Sequence, residues 1–381
     1  MLDPKRFYNF LKKNNINFFT GVPDSLLKNF ICLFEKKKIK EHLSVGNEGI
    51  AVALAAGHYL SSGNPALVYM QNSGLGNAIN PLNSLANKKV YGIPMILLIG
   101  WRGEIIKKNL QVKDEPQHLY QGKITLKQLN LIDIPYKVIN KDVKNIKKII
   151  NQVKKLSISL QKPVAIIVKK GTFKKIDKKK IFIKKNIYPP RKKIIEKIIE
   201  KSKKNSLIVS TTGYTSRELY QLRSIRNENI SKDFLMVGGM GHAVSVSTGI
   251  AKNLKKKIIC IDGDGSLLMH TSGIQNSAMM KNFIHILINN GVHDSVGGQK
   301  INSMKLDYGQ ISKGFGYDFY FKSFSLEEFE KNMDKALKLN KSVFIEILSQ
   351  AGINDNLPRP KEKFELRKKE FQKIIKKNAK Y

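Results

Sequence analysis

The stretch Ile258-Ile259-Cys260-Ile261-Asp262-Gly263-Asp264-Gly265-Ser266 decides the fold of this 381-residue chain. Its apolar run, followed by turn chemistry, reads as a strand buried on both faces, the kind found in parallel sheets. A helix is expected near Ile274–Met280, and a second apolar run, Ile284–Ile288, ends at Asn289-Asn290-Gly291. Strand, helix and strand in that order form a βαβ unit, which brings the carboxyl ends of both strands to one sheet edge. Asp264 and Asn290 then converge where open α/β folds hold their ligands. One carboxylate and one amide oxygen suit Mg²⁺, which takes its remaining oxygen ligands from phosphates and water. Gly263 and Gly265 allow the backbone to approach a phosphate. Asp-Gly and Asn-Gly are also ordinary strand-end turns. Their pairing at the two ends of one unit is what points to a diphosphate held with a metal.

The same alternation extends outward in both directions. Upstream, a helix over Pro4–Asn14 precedes strands at Phe18–Thr20, His42–Val45, Ala66–Met70, Met95–Ile99, Val138–Asn140 and Val164–Val168, with helices at Ser25–Phe34 and Glu48–Leu60. Lys169 to Pro190 is rich in lysine and ends in Pro189-Pro190, which marks a connection. Beyond it come strands at Ser206–Thr211, Phe234–Val237 and Ser342–Leu348, and helices at Ser216–Arg223, from Ala243 and over Leu326–Leu339. The expected fold class is α/β: two units, each a mainly parallel sheet flanked by helices. The boundaries read as 1–170 for the first, 171–190 for the linker and 191–360 for the second. A basic tail over 361–381 has helical character.

Composition narrows the function classes. Lys+Arg number 68 against 30 Asp+Glu, a formal net charge of +38. The lysines are dispersed, as at Lys192-Lys193 and Lys255-Lys256-Lys257, and travel with many Ile and Asn residues. That pattern reads as a solvated, compositionally drifted surface rather than a nucleic-acid groove. Nor is there a zinc finger, helix-turn-helix or RNA-recognition signature. No apolar run approaches the ~18 residues of a membrane span. Two cysteines, Cys32 and Cys260, make neither a disulfide framework nor a metal spacing, which fits a reducing cytoplasm. A nicotinamide dehydrogenase lacks its Gly-x-Gly-x-x-Gly opening after a strand.

Gly263-Asp264-Gly265 followed at a distance by Asn289-Asn290 resembles the diphosphate–Mg²⁺ motif of the thiamine-diphosphate enzymes. The resemblance implies that Asp264, the Asn290 side chain and the Val292 carbonyl hold the metal, with Gly263, Gly265 and Ser266 beside the diphosphate. It also implies an activating glutamate for the cofactor's aminopyrimidine. Gly46-Asn47-Glu48-Gly49 supplies one, where the residues alone would equally allow an acid at a helix N-terminus. In Gly238-Gly239-Met240-Gly241-His242, the resemblance gives the Gly238 carbonyl to the 4′-amino group. Met240 becomes the apolar wedge that bends the cofactor, although Met is also a routine gap-filler. In this family the glutamate and the metal-binding aspartate come from different subunits, so a homodimer or higher homo-oligomer is expected. The small-residue helix after Glu48 fits such a contact. The third domain of larger members is not expected here.

Longer strings narrow the resemblance to the phosphonopyruvate and sulfopyruvate decarboxylases. They are Gly21–Leu27, Asn72–Pro81, Gly100–Glu104, Asp114–His118 and Asn290–Gln299. The substrate implied is a small 2-keto acid bearing a second anionic group. Arg102, with its planar fork, is the expected cation for that group, ahead of Lys113 and Lys300. Acid–base work is expected of Asp24, His118 and His293, with His118 in a loop and contacting substrate. Asp294 is expected at the substrate, orienting His293. His42, His58, His270 and His285 read as structural. Tyr214 stands where the family commonly has lysine.

Overall fold

Strands Ala66–Gln71 and Met95–Gly100 are buried at nearly every position, as a run of apolar residues covered on both faces requires. In this computed structural model the described residues are 1–37, 39–107, 110–176, 187–202, 206–352, 357–360 and 362–378. They fall into two compact units, Met1–Ile181 and Phe182–Tyr381.

In the first unit the strands are β1 (Phe19–Gly21), β2 (His42–Ser44), β3 (Ala66–Gln71), β4 (Met95–Gly100), β5 (Ile105–Lys107), β6 (Leu110–Gln111), β7 (Tyr136–Ile139) and β8 (Val164–Val168). Helices α1 (Pro4–Lys13), α2 (Lys28–Lys37), α3 (Glu48–Ser62), α4 (Leu75–Pro81), α5 (Pro116–Leu131) and α6 (Ile146–Leu160) connect them. Six strands form one parallel sheet in the order β2-β1-β3-β4-β8-β7, and β5 and β6 make a separate hairpin. One apolar layer centres on Phe7, Phe30 and Ile150 and the other on Ala55, Met70 and Leu97.

The second unit holds β9 (Ser206–Ser210), β10 (Asp233–Leu235), β11 (Lys257–Gly263), β12 (Phe283–Asn289), β13 (Val292–His293), β14 (Gln299–Lys300), β15 (Phe319–Ser323) and β16 (Val343–Leu348). Its helices are α7 (Arg191–Lys201), α8 (Tyr214–Ile225), α9 (Ala243–Lys252), α10 (Asp264–Met269), α11 (Gly273–Ala278), α12 (Tyr308–Gly314), α13 (Leu326–Lys338) and α14 (Phe364–Asn378). The parallel sheet runs β10-β9-β11-β12-β16-β15, with β13 and β14 as a hairpin. Within each unit the sheet strands thus lie in the order second, first, third, fourth, sixth, fifth, and each inserts a hairpin after its fourth strand. The two units are topological copies.

Several sequence expectations are corrected. Asp114–His118 is not all loop: Glu115 is the N-cap of α5 and Pro116 its first residue, so His118 lies on the first helical turn. Proline at that position gives up an N–H that no helix start could satisfy. Helix α2 starts at Lys28 rather than Ser25, because Asp24 Oδ2 accepts from the Leu26 and Leu27 amides and winds those residues into a turn. Helix α12 and strand β15 were not legible, since Phe319–Ser323 is an edge strand with mixed exposure. The start of the expected linker is ordered onto the first unit: the Leu2 amide donates to the Thr172 carbonyl, the Leu2 carbonyl accepts from the Lys174 amide, and Phe173 packs against Phe7 and Phe30. Residues 177–186 of that linker lie outside the described residues. The charged tail forms α14, with Phe371 buried against Phe234. Among the described residues no helix is long and apolar enough to cross a membrane.

Candidate functional site

Both units gather their polar residues at the carboxyl ends of the first four sheet strands, the edge where parallel sheets accept ligands.

In the first unit, Asp24 follows β1 and is fully buried. Its Oδ2 takes two amides, while Oδ1 has no hydrogen-bond partner. Burial pushes its pKa up to about 6, against the pull of Arg102. A Cβ on Gly100 would lie 2.2 Å from Asp24 Oδ2, so the carboxylate rests directly on the backbone at the end of β4.

Glu48 follows β2 as the first residue of α3, capped by the Asn47 side chain. It is 4% exposed, and burial raises its pKa. The Asn77 amide donates to Glu48 Oε2 at 2.7 Å. Gly74 lies beneath the other oxygen, where a Cβ would come within 2.3 Å of Oε1. Residues 72–81 after β3 therefore form the floor under Glu48. Asn72 ties this segment to the end of β4: its side chain bonds both backbone groups of Arg102 and the Thr125 hydroxyl.

Arg102 follows β4, and the structure gives its fork to Asp114. Nε donates to Asp114 Oδ2 at 2.7 Å, Nη2 to Oδ1, and Nη1 to the Ser25 hydroxyl at 3.1 Å. Burial opposes it, yet the Arg102 bonds hold Asp114 down at about 2. Gly103 and Gly122 bring the Arg102 turn and α5 into backbone contact. A Cβ on Gly122 would sit 1.8 Å from the Gly103 carbonyl oxygen. That contact sets His118, whose Nε2 lies 3.5 Å from Glu115 Oε2. Lys113 and Lys300 are exposed.

In the second unit a cleft is lined by Arg191, Thr211, Thr212, Tyr214, Met240, Gly263, Asp264, Gly265, Ser266, Asn290, Val292, His293 and Asp294, among others. It thus brings together nearly every diphosphate and metal residue expected from the sequence. Gly238 belongs to the loop after β10 that carries Met240 into the cleft. Ser266 joins three strand ends, accepting from the Thr211 hydroxyl at 2.9 Å and the Gly241 amide at 3.1 Å.

Asp264 is 3% exposed, and burial pushes its pKa up to about 6. Asn290 donates from Nδ2 to Asp294 Oδ2 at 2.8 Å, and its Oδ1 accepts from the Val292 amide at 3.2 Å. His293 packs on the backbone of Gly265, its Nε2 has no hydrogen-bond partner, and burial lowers its pKa to about 4. Its expected pairing with Asp294 is corrected. Asp294 instead accepts from Arg191 Nη1 at 3.0 Å and from Asn290, because Arg191 is buried between Asp294 and Glu218. The Arg191 bonds to Glu218 and Asp294 were not legible in the sequence, since they span 27 and 103 positions. Tyr214 faces the guanidinium groups of Arg191 and Arg217 at 5.6 and 5.8 Å.

The cleft's own charges test what it can hold. Asp264 and Asp294 line it together with Arg191, whose fork is already shared by Asp294 and Glu218. A diphosphate entering this acidic surface needs a divalent cation between. Among the described residues no group of three His, Cys, Asp or Glu side chains forms a metal cage. One carboxylate with neutral oxygens is the donor set of an ion that keeps phosphate and water ligands, as Mg²⁺ does. The residues fit a metal–diphosphate group.

Two sequence profiles match the chain. The thiamine pyrophosphate enzyme N-terminal TPP-binding domain covers residues 5–129, and the C-terminal TPP-binding domain covers 211–347. A phosphonopyruvate decarboxylase of Streptomyces viridochromogenes is 29% identical over 357 residues, which is 90% of this chain and 87% of that protein. Sulfopyruvate decarboxylase subunit beta of Methanocaldococcus jannaschii is 39% identical over 158 residues, 41% of this chain and 81% of that subunit. A sulfopyruvate decarboxylase of Methanosarcina acetivorans is 24% identical over 371 residues, 91% of each chain.

Proposed function

This chain belongs to the thiamine pyrophosphate enzymes, and from that premise we propose that it converts 3-phosphonopyruvate to phosphonoacetaldehyde and carbon dioxide. That it is a thiamine-diphosphate-dependent decarboxylase follows from its two domains and its decarboxylase relatives. The substrate assignment rests on one observation: similarity to a phosphonopyruvate decarboxylase along 90% of the chain.

When bound, thiamine diphosphate supplies a nucleophilic carbon and an electron sink for decarboxylation. The chain's own residues do the rest. Glu48, kept from water and steadied by Asn77, holds a proton at the pyrimidine ring. Gly238 takes the pyrimidine's amino group and Met240 props the cofactor. Asp264, Asn290 and the Val292 carbonyl hold Mg²⁺ against the diphosphate, beside Gly263, Gly265 and Ser266. Asp24, with its raised pKa, gives the proton that replaces the lost carboxylate. His118 and His293 serve as further acid–base groups, His293 as a neutral imidazole. Arg102, oriented by Asp114 and Ser25, is the cation for the phosphonate, and Asp294 is a further substrate contact.

The working unit of this reading is a homodimer or higher oligomer, with Glu48 of one chain serving the metal cleft of another. Its setting is phosphonate biosynthesis in the cytoplasm, where loss of carbon dioxide draws an unfavourable preceding step forward. The 39% identity to a sulfopyruvate decarboxylase subunit favours sulfopyruvate as the second reading. Carbon dioxide release from phosphonopyruvate, sulfopyruvate and pyruvate, with and without thiamine diphosphate and Mg²⁺, tests both. Turnover of sulfopyruvate well above phosphonopyruvate would overturn the first reading.

A further inference from the structure

Ser303 lies in the short turn Asn302–Lys305 and is fully buried. Its hydroxyl is 2.6 Å from Asp264 Oδ2. The Gly291 amide donates to the same oxygen at 2.8 Å. Asp264 Oδ1 receives one donor, the Gly265 amide at 2.8 Å. A carboxylate oxygen accepts about two hydrogen bonds. Oδ2 is therefore filled, and Oδ1 keeps one open site.

A second acceptor also lies within reach of the hydroxyl. Ser303 Oγ is also 3.0 Å from Asn289 Oδ1, and Asn289 Nδ2 donates to Glu346 Oε1 at 2.8 Å across β12 and β16. Glu346 accepts in turn from the Tyr320 hydroxyl and pairs with Lys322 at 3.5 Å. A hydroxyl has one proton, and the shorter, charged acceptor is Asp264. Asn290 repeats the arrangement. Asp294 fixes its amide nitrogen, and its Oδ1, which among the described residues accepts only from the Val292 amide, keeps one open site for a ligand.

We propose that Ser303 is a positioning residue of the metal centre: it closes Asp264 Oδ2 and leaves Oδ1 as the oxygen that meets the cation. This rests on the reading of Asp264 as a metal ligand. Partners of this kind typically change metal affinity by about 10–100-fold when removed.

The test measures thiamine diphosphate binding to the full chain by calorimetry across a range of Mg²⁺ concentrations, without substrate. Ser303→Ala is expected to raise the half-saturating Mg²⁺ about tenfold, while Ser303→Thr, which keeps the hydroxyl, stays nearer the parent. A Ser303→Ala protein with the parent's melting temperature and the parent's Mg²⁺ requirement overturns the proposal. If the Ala variant does not fold, Ser303→Gly, which also lacks the hydroxyl, replaces it, and an unchanged requirement there has the same meaning. Asp264→Asn separates the two levels. If it leaves the Mg²⁺ requirement untouched, the metal assignment itself fails; if it abolishes metal dependence while Ser303→Ala does not alter it, only the Ser303 role fails.

Discussion

The Asn77 amide donates to Glu48 Oε2 at 2.7 Å, joining the start of α3 to α4 across 29 positions of sequence. With Gly74 closing in on Oε1, the carboxyl group is held on two sides. Asn77→Ala frees Glu48 within its buried site. Loss of one hydrogen bond to an acid of this kind corresponds to about tenfold in rate. The expected result is a tenfold lower kcat with an unchanged melting temperature; equal kcat in variant and parent removes Asn77 from the account.

Glu48→Gln keeps the shape and the Asn77 contact but cannot exchange a proton. Thiamine diphosphate binding should persist, while turnover falls by about 100-fold or more, the range of lost acid–base catalysis. Undiminished turnover refutes the assigned role.

Asp264→Ala deletes the charged metal ligand of the cleft and leaves the Gly265 and Gly291 amides without their acceptor. Metal-dependent cofactor binding should disappear. Tight, Mg²⁺-dependent binding in this variant is the result that contradicts the metal assignment.

Asp24 gives a pH prediction with a definite sign. Its folded pKa, about 6, lies above that of an unfolded aspartate. The native state then binds this proton more tightly, so its contribution to stability is complete below about pH 4 and is lost as pH rises through about 6. Asp24→Asn should flatten the decline between those values by on the order of 2–3 kcal/mol. Urea unfolding at pH 4.5 and 7 measures it, and parallel slopes for variant and parent exclude the effect.

Mixing inactive Glu48→Gln and Asp264→Ala proteins tests whether sites form between chains. Subunit exchange should restore activity, because some mixed dimers then carry one intact pair. Demonstrated mixed dimers without recovery would place both residues in a single chain's site.

Much of the site was legible because it sits at strand ends. Asp264 and Asn290 follow apolar strands and Glu48 follows the short strand β2, and sheet geometry carries such positions to the carboxyl edge of their own sheet. His118 was misread as loop because α5 has little apolar periodicity, although Pro116 marked its start. Arg102 was found, but not Asp114 as the group that occupies its fork. Arg191 and Ser303 were missed, and no partner was read for Asn77 or Glu218. None belongs to a periodic pattern that reveals a partner, and each matters only through contacts far along the chain.

The sequence by itself determined two α/β units, their parallel sheets and the loops that bear the chemistry. Those follow from local periodicity and turn residues, which act over a few positions at a time. Tertiary structure alone decided that the two sheets share one strand order, which oxygen of Asp264 stays open and what neutralises Asp294. Such outcomes depend on side chains brought together from distant segments, where a hydrogen bond is set by ångströms and not by spacing in the chain.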